Sequence, residues 1–347
     1  IYNILFMKRL IVLFSSIMML APIFATAQPV PGLKPSQTVR LYADSFEGNI
    51  DPVYGKEIIY GGFKMKESNG LTGPETINEA GILRNVSDLA RVDLYFPKKP
   101  NGQMVVVCPG GGYSIVSSYN EGLYVADWML SKGITVAVVK YRLPNGNRYI
   151  PLTDVQNTFR YCRAHAAEWG ISQIGVMGFS AGGHLAASAS TLYVDEITRP
   201  DFSVLIYPVV SLDRKFVGQG TRNNLLGKDE IWDDKDMKVA EFEEKQMLYH
   251  KLLTHYSLQN HINEKTPQAF IVHCSDDKQV PVEHSILYYT RLIDSNVDAE
   301  MHIYPKGGHG WGFSSEKWKG KGNDKFAYAR ADFEETPERW LENIRKM

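Results

Sequence analysis

The sequence predicts an α/β protein whose central sheet is mostly parallel, with helices on both faces. Two observations carry this prediction. The strand-like runs, such as MVVVC at residues 104–108, are apolar throughout, which is typical of strands buried on both faces. Helix-like segments separate most of these runs, as the crossover connections of a parallel sheet require. The 347 residues, 44% of them hydrophobic, supply enough apolar material for a large core.

The predicted elements follow one another in order after a first pair of strands. Residues 82–96 predict two strands joined by a turn near Ser87 and Asp88. Further strands are predicted at residues 104–108, 134–141, 173–178, 202–210, 269–274 and 299–304. Helices are predicted at residues 122–131, 152–169, 181–193, 282–293 and 337–346.

One long stretch, residues 213–267, breaks this alternation. It is polar and favours helix, and it is longer than an ordinary connection. We therefore predict a small cap insertion at about 213–267 that folds over the ends of the strands. Residues 28–37, which contain three prolines, are predicted to form a linker or N-terminal arm, and residues 38–347 a single domain that includes the cap.

The N-terminal segment has the three regions of a secretory signal peptide. Lys8 and Arg9 precede an uncharged apolar run at residues 10–20, and residues 25–27 form an A-x-A cleavage site. The apolar run is short for a membrane span, so a cleaved signal at 1–27 is favoured over a retained anchor. We expect a secreted or periplasmic protein with no membrane association after cleavage. Residues 1–6 precede the first methionine, and whether they are translated stays open.

The composition argues against several classes of partner. With 38 basic and 39 acidic side chains the formal net charge is −1, so no electrostatic field favours nucleic acid or an anionic membrane. Cys108, Cys162 and Cys274 lie in apolar strand-like or helical runs and are predicted to be buried free thiols. Since no Cys/His spacing is typical of zinc, we expect no metal site and no cofactor. Composition does not indicate an oligomeric state.

The stretch VMGFSAGGHLAAS places Ser180 in a G-x-S-x-G motif between a predicted strand and a predicted helix. That context is typical of a nucleophile elbow, where a sharp turn exposes the serine hydroxyl above the sheet. Gly178 and Gly182 allow the strand and the helix to approach closely. A glycine-rich turn without chemical use is the alternative, and the flanking strand and helix favour the nucleophile.

A serine nucleophile needs a base, and the base needs an orienting carboxylate. The expected chain order is serine, then acid, then histidine. Asp276 and Asp277 follow the strand predicted at 269–274, and His309 follows the strand predicted at 299–304. Open parallel sheets place their sites at these carboxyl ends of strands. The order and placement indicate a Ser–Asp–His site, with either aspartate as the acid.

Other titratable residues fit structural roles better. His184 lies on the helix after Ser180, and His273 is expected to make a local hydrogen bond. Asp154 lies in the first turn of a predicted helix, where a carboxylate suits the helix dipole. Glu283 and His284 begin another helix, where capping explains them better than catalysis.

Four segments resemble the exported carbohydrate esterases of the α/β-hydrolase fold, a group that includes acetylxylan esterases and xylanase-associated relatives. They are GGGY, GFSAGGHLAA, DDKQVP and YPKGGHGWG, and the similarity extends from about residue 82 to the C-terminal helix. The resemblance implies that Ser180 is the nucleophile and His309 the base. It also implies that Asp277 is the acid, because in this family two residues separate the acid from a Val-Pro pair.

The resemblance assigns a role to the loop after the strand at 104–108 as well. Gly111, Gly112 and Ala181 would supply the N–H groups that bind the oxyanion. A phosphate-binding loop is the alternative, but no G-K-[ST] follows. Pro109 departs from the histidine that many related esterases carry before the glycines, which leaves open how the loop is braced.

The resemblance implies a secreted serine carboxylesterase that removes small acyl groups, acetyl above all, from a plant polysaccharide such as xylan. Tyr113 and Trp311 flank the predicted site and would line an acyl or sugar pocket, with core packing as the alternative. Two other functions stay open: a serine exopeptidase or other small-ester hydrolase on the same fold, and a non-catalytic binding protein. The segment before residue 82 is too short for the β-propeller common in such peptidases, and a binding role does not need the complete Ser–Asp–His set.

Overall fold

The computed structural model describes residues 33–41, 50–51, 56–57, 74–86, 90–227, 239–313, 333 and 335–346. The predicted signal peptide, the first half of the predicted linker, the turn at Ser87 and Asp88, and part of the predicted cap lie outside these ranges. The predicted linker ends in structure, since Gln37 already belongs to the first strand.

The strands of the described chain are β1 (Gln37–Arg40), β2 (Ile50–Asp51), β3 (Lys56–Glu57), β4 (Thr76–Ile77), β5 (Ile82–Arg84), β6 (Arg91–Tyr95), β7 (Gln103–Cys108), β8 (Val116–Ser117), β9 (Thr135–Lys140), β10 (Gln173–Phe179), β11 (Phe202–Ile206), β12 (Gln268–Cys274) and β13 (Ala299–Tyr304). The α-helices are α1 (Tyr124–Ser131), α2 (Ile150–Trp169), α3 (Ser180–Thr191), α4 (Gln219–Leu226), α5 (Val239–His255), α6 (Glu283–Asp294) and α7 (Glu335–Arg345). A π-helix at Tyr119–Leu123 leads into α1, and a 3₁₀ turn at Leu258–Asn260 follows α5.

Eight strands form one sheet in the order β1-β6-β9-β7-β10-β11-β12-β13. The two pairs at the β1 edge are antiparallel, and the five pairs from β9 to β13 are parallel. The mostly parallel sheet is therefore confirmed. The two strands expected within residues 82–96 also exist, but they belong to different sheets, because β5 pairs with β4 and β8 while β6 pairs with β1 and β9.

Helices cover both faces of the sheet, as predicted. On one face α2, α3 and α6 contribute Phe159, Leu185 and Leu292 to a buried cluster, and on the other face α1 and α7 contribute Met129 and Trp340 to a second cluster. Residues 104–108 of β7 lie alternately in the first and the second cluster, which is why these five residues are all apolar. The three cysteines are buried and unpaired, as predicted.

The largest error in the predicted strands concerns residues 202–210. The strand ends at Ile206, because Tyr207 has a left-handed φ of 37° and Pro208 offers no N–H to continue the ladder. The chain leaves the sheet there and enters the predicted cap, of which α4, α5 and the 3₁₀ turn are described.

Within the described ranges, no helix has both the length and the apolar character that a membrane span requires.

Candidate active site

Ser180 lies at the tight turn between β10 and α3. Phe179 is still extended, and Ser180 has a left-handed φ of 53°, a conformation that costs an ordinary residue about 1 kcal/mol or more. A Cβ atom on Gly178 would lie 2.1 Å from the carbonyl oxygen of Gly182, and one on Gly182 would lie 2.1 Å from that of Cys108. The two glycines are therefore required, because strand, helix and neighbouring strand approach too closely for any side chain.

The structure brings Ser180, His309 and Asp277 together. The Oγ atom of Ser180 is 2.7 Å from Nε2 of His309, and Nδ1 of His309 is 2.6 Å from Oδ2 of Asp277. Because a carboxylate only accepts hydrogen bonds, Nδ1 carries the imidazole proton, and Nε2 is left to accept the proton of the serine hydroxyl. The arrangement can therefore remove a proton from Ser180 and hold the resulting imidazolium against a carboxylate.

Asp276, the alternative acid, binds a different part of the same loop. Its carboxylate accepts the N–H groups of Gly307 at 3.3 Å and Gly308 at 2.7 Å. It thus holds the backbone of the two residues that directly precede His309. The geometry agrees with the choice of Asp277 as the residue that contacts the imidazole.

The carboxylate of Asp277 is saturated with donors. Its Oδ1 accepts the N–H groups of Gln279 and Val280, both at 2.9 Å, and its Oδ2 is 2.6 Å from His309 and 3.2 Å from Nε2 of His273. Desolvation acts to raise the pKa of Asp277, but the hydrogen bonds from His273, His309 and the backbone hold it well below the usual range. The charged form needed beside an imidazolium is therefore favoured.

His273 makes the local hydrogen bonds that the sequence predicts, and one of them reaches the acid. Its Nε2 lies 2.9 Å from the carbonyl oxygen of Val280 as well as 3.2 Å from Asp277. Both partners are acceptors, so Nε2 carries the proton and Nδ1 accepts from the hydroxyl of Ser285 at 2.8 Å. His273 is completely buried, and it contacts the same Oδ2 atom of Asp277 that His309 contacts.

The predicted oxyanion residues lie next to the serine turn. A Cβ atom on Gly110 would be 2.6 Å from the carbonyl oxygen of Phe179, which shows how closely the loop approaches the turn. Within the described chain the N–H groups of Gly111, Gly112 and Ala181 have no hydrogen-bond acceptor. Ala181 is at the start of α3, where a helix leaves its first N–H groups unbonded. These three groups are available to an anion.

Three side chains hold the backbone of this loop, in which Pro109 stands where many esterases carry a histidine. The hydroxyl of Tyr141 donates to the carbonyl oxygen of Pro109 at 2.7 Å. The carboxylate of Glu121 accepts the N–H of Gly110 at 2.8 Å, and the amide of Asn224, on cap helix α4, donates to the carbonyl oxygen of Gly112 at 2.8 Å. Sequence reasoning missed all three residues; the available signal was a glutamate directly before the helix predicted at residues 122–131.

The burial of Tyr113 and Trp311 contradicts the expectation that they line an acyl or sugar pocket. Tyr113 is 1% exposed, and its hydroxyl lies 2.9 Å from Nδ1 of His184. Trp311 is 0% exposed, with its ring 4.9 Å from that of Tyr207 and 4.6 Å from that of Phe333. Tyr113 packs in the first buried cluster and Trp311 in the second, so core packing, the alternative for these residues, is what the structure shows.

The remaining titratable residues do have structural roles, though not always the expected ones. His184 binds the carbonyl oxygen of Tyr256 through Nε2, and burial lowers its pKa to about 4. Asp154 forms a buried ion pair with Arg142; α2 begins at Ile150 and has no acidic residue in its first turn, so the expected helix-dipole role is wrong. His284 does not cap α6; its Nδ1 accepts the N–H groups of Val210 and Ser211.

The described chain also has a large groove, which the proposed site residues do not line, and it has no cluster of side chains arranged to hold a metal ion. A groove of about 860 Å³ lies between α5 and the segment at 211–216, but none of the proposed site residues lines it. Among the described residues, no group of three or more His, Cys, Asp or Glu side chains is arranged to hold a metal ion. The chemistry described above is therefore located at the serine turn and not at the groove.

Comparison with known proteins gives consistent matches. The family model BD-FAE matches residues 92–292. An acetylxylan esterase of Xylanibacter ruminicola is 39% identical over 237 residues, and an endo-1,4-β-xylanase B of Butyrivibrio fibrisolvens is 28% identical over 224 residues. The crystal structure of an acetyl ester-xyloside bifunctional hydrolase from Caldicellulosiruptor lactoaceticus is 31% identical, with a TM-score of 0.59 over 74% of this chain and 88% of that one. Solved α/β hydrolases share the same architecture.

The curated relatives are longer than this chain. The match covers 67% of this chain and 46% of the acetylxylan esterase, and 59% of this chain and 32% of the xylanase. The chain thus spans about half the length of one curated relative and a third of the other.

Proposed function

Because the chain belongs to the BD-FAE family and has the α/β-hydrolase fold, we propose that it is a serine carboxylesterase that removes acetyl groups from xylan or a similar plant polysaccharide. The observation that carries the proposal is the contact of Ser180 with His309 and of His309 with Asp277, at 2.7 and 2.6 Å. Beside these contacts, the unbonded N–H groups of Gly111, Gly112 and Ala181 suit a developing oxyanion.

The proposed reaction proceeds in two acyl transfers. The Oγ atom of Ser180 attacks the ester carbonyl carbon while Nε2 of His309 takes the hydroxyl proton, and the carbonyl oxygen becomes an oxyanion bound by the N–H groups. The tetrahedral adduct collapses, the sugar oxygen leaves, and it takes the proton from His309. Water then attacks the acyl-serine, with His309 as the base again, and releases acetic acid and free Ser180.

The substrate class rests on the relatives together with the cap. One relative is named an acetylxylan esterase, another an endo-1,4-β-xylanase, and a solved neighbour an acetyl ester-xyloside hydrolase. The amide of Asn224 places polar helix α4 against the oxyanion loop. A polar surface beside the reacting ester suits a hydrated sugar better than a lipid.

Export is the second part of the proposal. It rests on the basic, apolar and A-x-A regions of residues 7–27 and on the resemblance to exported carbohydrate esterases. Expression of the full chain in a bacterial host should release a mature protein that begins at Gln28, as read by N-terminal sequencing. An intact N-terminus on a protein retained in the cytoplasm would contradict export and leave the esterase proposal standing.

A substrate panel tests the esterase proposal. The purified protein should release acetate from acetylated xylan and hydrolyse p-nitrophenyl acetate faster than the butyrate and octanoate. Aminoacyl p-nitroanilides test the exopeptidase alternative. Faster turnover of octanoate without acetate release would contradict the carbohydrate esterase, turnover of the anilides alone would favour the peptidase, and no turnover of any ester or amide would favour a binding protein.

A further inference from the structure

A buried chain of hydrogen bonds joins two loops of the site, which we define as the oxyanion loop (residues 109–113) and the histidine loop (residues 305–313). The N–H of Gly312 donates to the hydroxyl oxygen of Tyr207 at 2.8 Å. That hydroxyl donates to Oε1 of Glu121 at 2.8 Å, and the N–H of Gly110 donates to Oε2 of the same carboxylate at 2.8 Å. A single acid–phenol pair thus holds the backbone of both loops.

Glu121 is an unusual residue to find at this position. It is 4% exposed, and within the described chain no Arg or Lys side chain pairs with it, so two neutral donors hold its carboxyl group. Burial raises the pKa of Glu121, while the hydrogen bonds from Tyr207 and Gly110 act to lower it. Since a buried carboxyl group destabilises a fold unless it is well bonded, its presence calls for a specific role.

Tyr207 is held in place as firmly as its partner. Its left-handed φ of 37° is strained for a tyrosine, and its N–H bonds the carbonyl oxygen of Val272 at 2.7 Å. The ring lies 4.8 Å from that of His309 and 4.9 Å from that of Trp311. The side chain therefore supports the imidazole with its ring and binds Glu121 with its hydroxyl.

The π-helix at Tyr119–Leu123 makes a second connection between the same loops, one that includes Glu121 but does not pass through Tyr207. It carries Glu121, and the carbonyl oxygen of its neighbour Asn120 accepts the N–H of Phe313, in the histidine loop, at 2.8 Å. π-helices are rare and are often found at functional sites. Here the π-helix directs one acid beneath the oxyanion loop and one carbonyl group at the histidine loop.

We propose that Glu121 and Tyr207 are positioning residues that act as one unit and fix the oxyanion N–H groups and His309 relative to each other around Ser180. The inference rests on the proposed esterase function and concerns the same site. Neither residue exchanges a proton with the substrate; both act through the backbone that they bind, and the ring of Tyr207 also contacts that of His309. Because reacting groups must be placed to within a fraction of an ångström, loosening the two loops lowers the rate of the chemical steps more than the affinity for substrate.

Glu121→Gln, Tyr207→Phe and the double variant test this role with changes that preserve side-chain volume. The amide introduced by Glu121→Gln can still accept one hydrogen bond but carries no charge. The ring left by Tyr207→Phe still packs on His309, and only the hydroxyl is lost. Tyr288→Phe is the matched control, because Tyr288 is fully buried on α6 and its hydroxyl has no hydrogen-bond partner among the described residues.

The rates are measured on p-nitrophenyl acetate per active site, with the active fraction counted by fluorophosphonate labelling and the melting temperature recorded. Each single variant should lose about 10- to 100-fold in kcat, less than the ~10²- to 10³-fold loss expected when an oxyanion donor is removed, with KM within about threefold of the wild type. A phenylboronic acid forms a tetrahedral adduct with the serine, and its affinity for each variant should fall by the same factor as kcat/KM. The double variant should be no slower than the slower single variant, since the two residues act as one unit.

Rates per active site within about threefold of those of Tyr288→Phe would overturn the inference, as would losses that multiply in the double variant. A decrease only in the active fraction or in the melting temperature, with kcat per active site unchanged, would also overturn it. Such a result would indicate a purely structural role. A wild-type protein that hydrolyses no ester would overturn the proposed function and this inference with it. An active wild type with unaffected variants would overturn this inference alone.

Discussion

Asp276 and Asp277 are adjacent in the sequence, yet their carboxylates bind different parts of the loop that carries His309. Asp277 contacts the imidazole at Nδ1, whereas Asp276 accepts the backbone N–H groups of Gly307 and Gly308. One residue therefore sets the tautomer of the base, and the other sets the path of the backbone that leads to it.

These separate contacts predict unequal losses of esterase activity. Asp277→Asn should lower kcat by up to ~10⁴-fold, because the imidazole loses both its tautomer and its charge partner. Asp276→Asn keeps an oxygen that can accept one of the two glycine N–H groups, so a loss of about tenfold or less is expected. Steady-state kinetics on p-nitrophenyl acetate measure both, and equal losses would contradict the assignment of the acid.

The three residues of the proposed catalytic set could be predicted because each lies in a short sequence pattern that is typical of its role. A serine between spaced glycines, and an acid and a histidine each at the end of an apolar run, are visible in the chain. The choice between Asp276 and Asp277 was not visible in this way; it came from the family pattern, and the geometry agrees with it.

Contacts between distant parts of the chain could not be predicted. Glu121 and Tyr207 are 86 residues apart, and no periodicity or spacing connects them. The burial of Tyr113 and Trp311 likewise depends on which rings pack against them, and the end of β11 depends on a backbone conformation at Tyr207 that its residue type does not favour. A local sequence pattern depends only on neighbouring residues, whereas these features depend on tertiary contacts between distant segments.

The close approach at the serine turn predicts a difference between two glycine substitutions. Gly182→Ala places a Cβ atom 2.1 Å from the carbonyl oxygen of Cys108, so the free energy of unfolding should fall by about 3 kcal/mol or more. Gly220→Ala, on α4, meets nothing within 4 Å and should raise it by up to about 0.5 kcal/mol. Urea unfolding of both variants measures this, and similar stabilities would contradict the packing at the turn.

Two buried histidines predict that the protein loses stability in mild acid. Burial lowers the pKa of His184 and of His284 from 6.5 to about 4. Below pH 6.5 the unfolded chain binds protons that the folded protein does not bind until about pH 4, so the free energy of unfolding falls as the pH decreases across this window. The loss approaches about 3 kcal/mol for each histidine at the lower end.

Urea unfolding at about pH 7 and pH 5 measures the pH effect. His184→Gln should show a smaller decrease in the free energy of unfolding between the two pH values than the wild type does. His250→Gln, which changes an exposed histidine on α5, should leave the decrease as it is in the wild type. An unchanged decrease in His184→Gln would contradict the neutral, buried state of that imidazole.

The cysteines should be unreactive until the protein unfolds. All three are buried, and desolvation raises the pKa of Cys162 and of Cys274 to about 12, so the reactive thiolate is scarce at neutral pH. Ellman's reagent should therefore detect no thiol in the native protein and three after denaturation without reductant. Only one thiol after denaturation would indicate a disulfide and contradict the buried free thiols.

The most direct test of the account is the site at which a fluorophosphonate probe reacts. The probe should attach to Ser180 alone, as read by peptide mass spectrometry, and labelling should block acetate release from acetylated xylan. Ser180→Ala should lose both labelling and turnover by several orders of magnitude while it unfolds at the wild-type temperature, and Ser131→Ala, an exposed serine at the end of α1, should keep both. Labelling of another residue, or acetate release by Ser180→Ala at the wild-type rate, would contradict the assignment of Ser180 as the nucleophile.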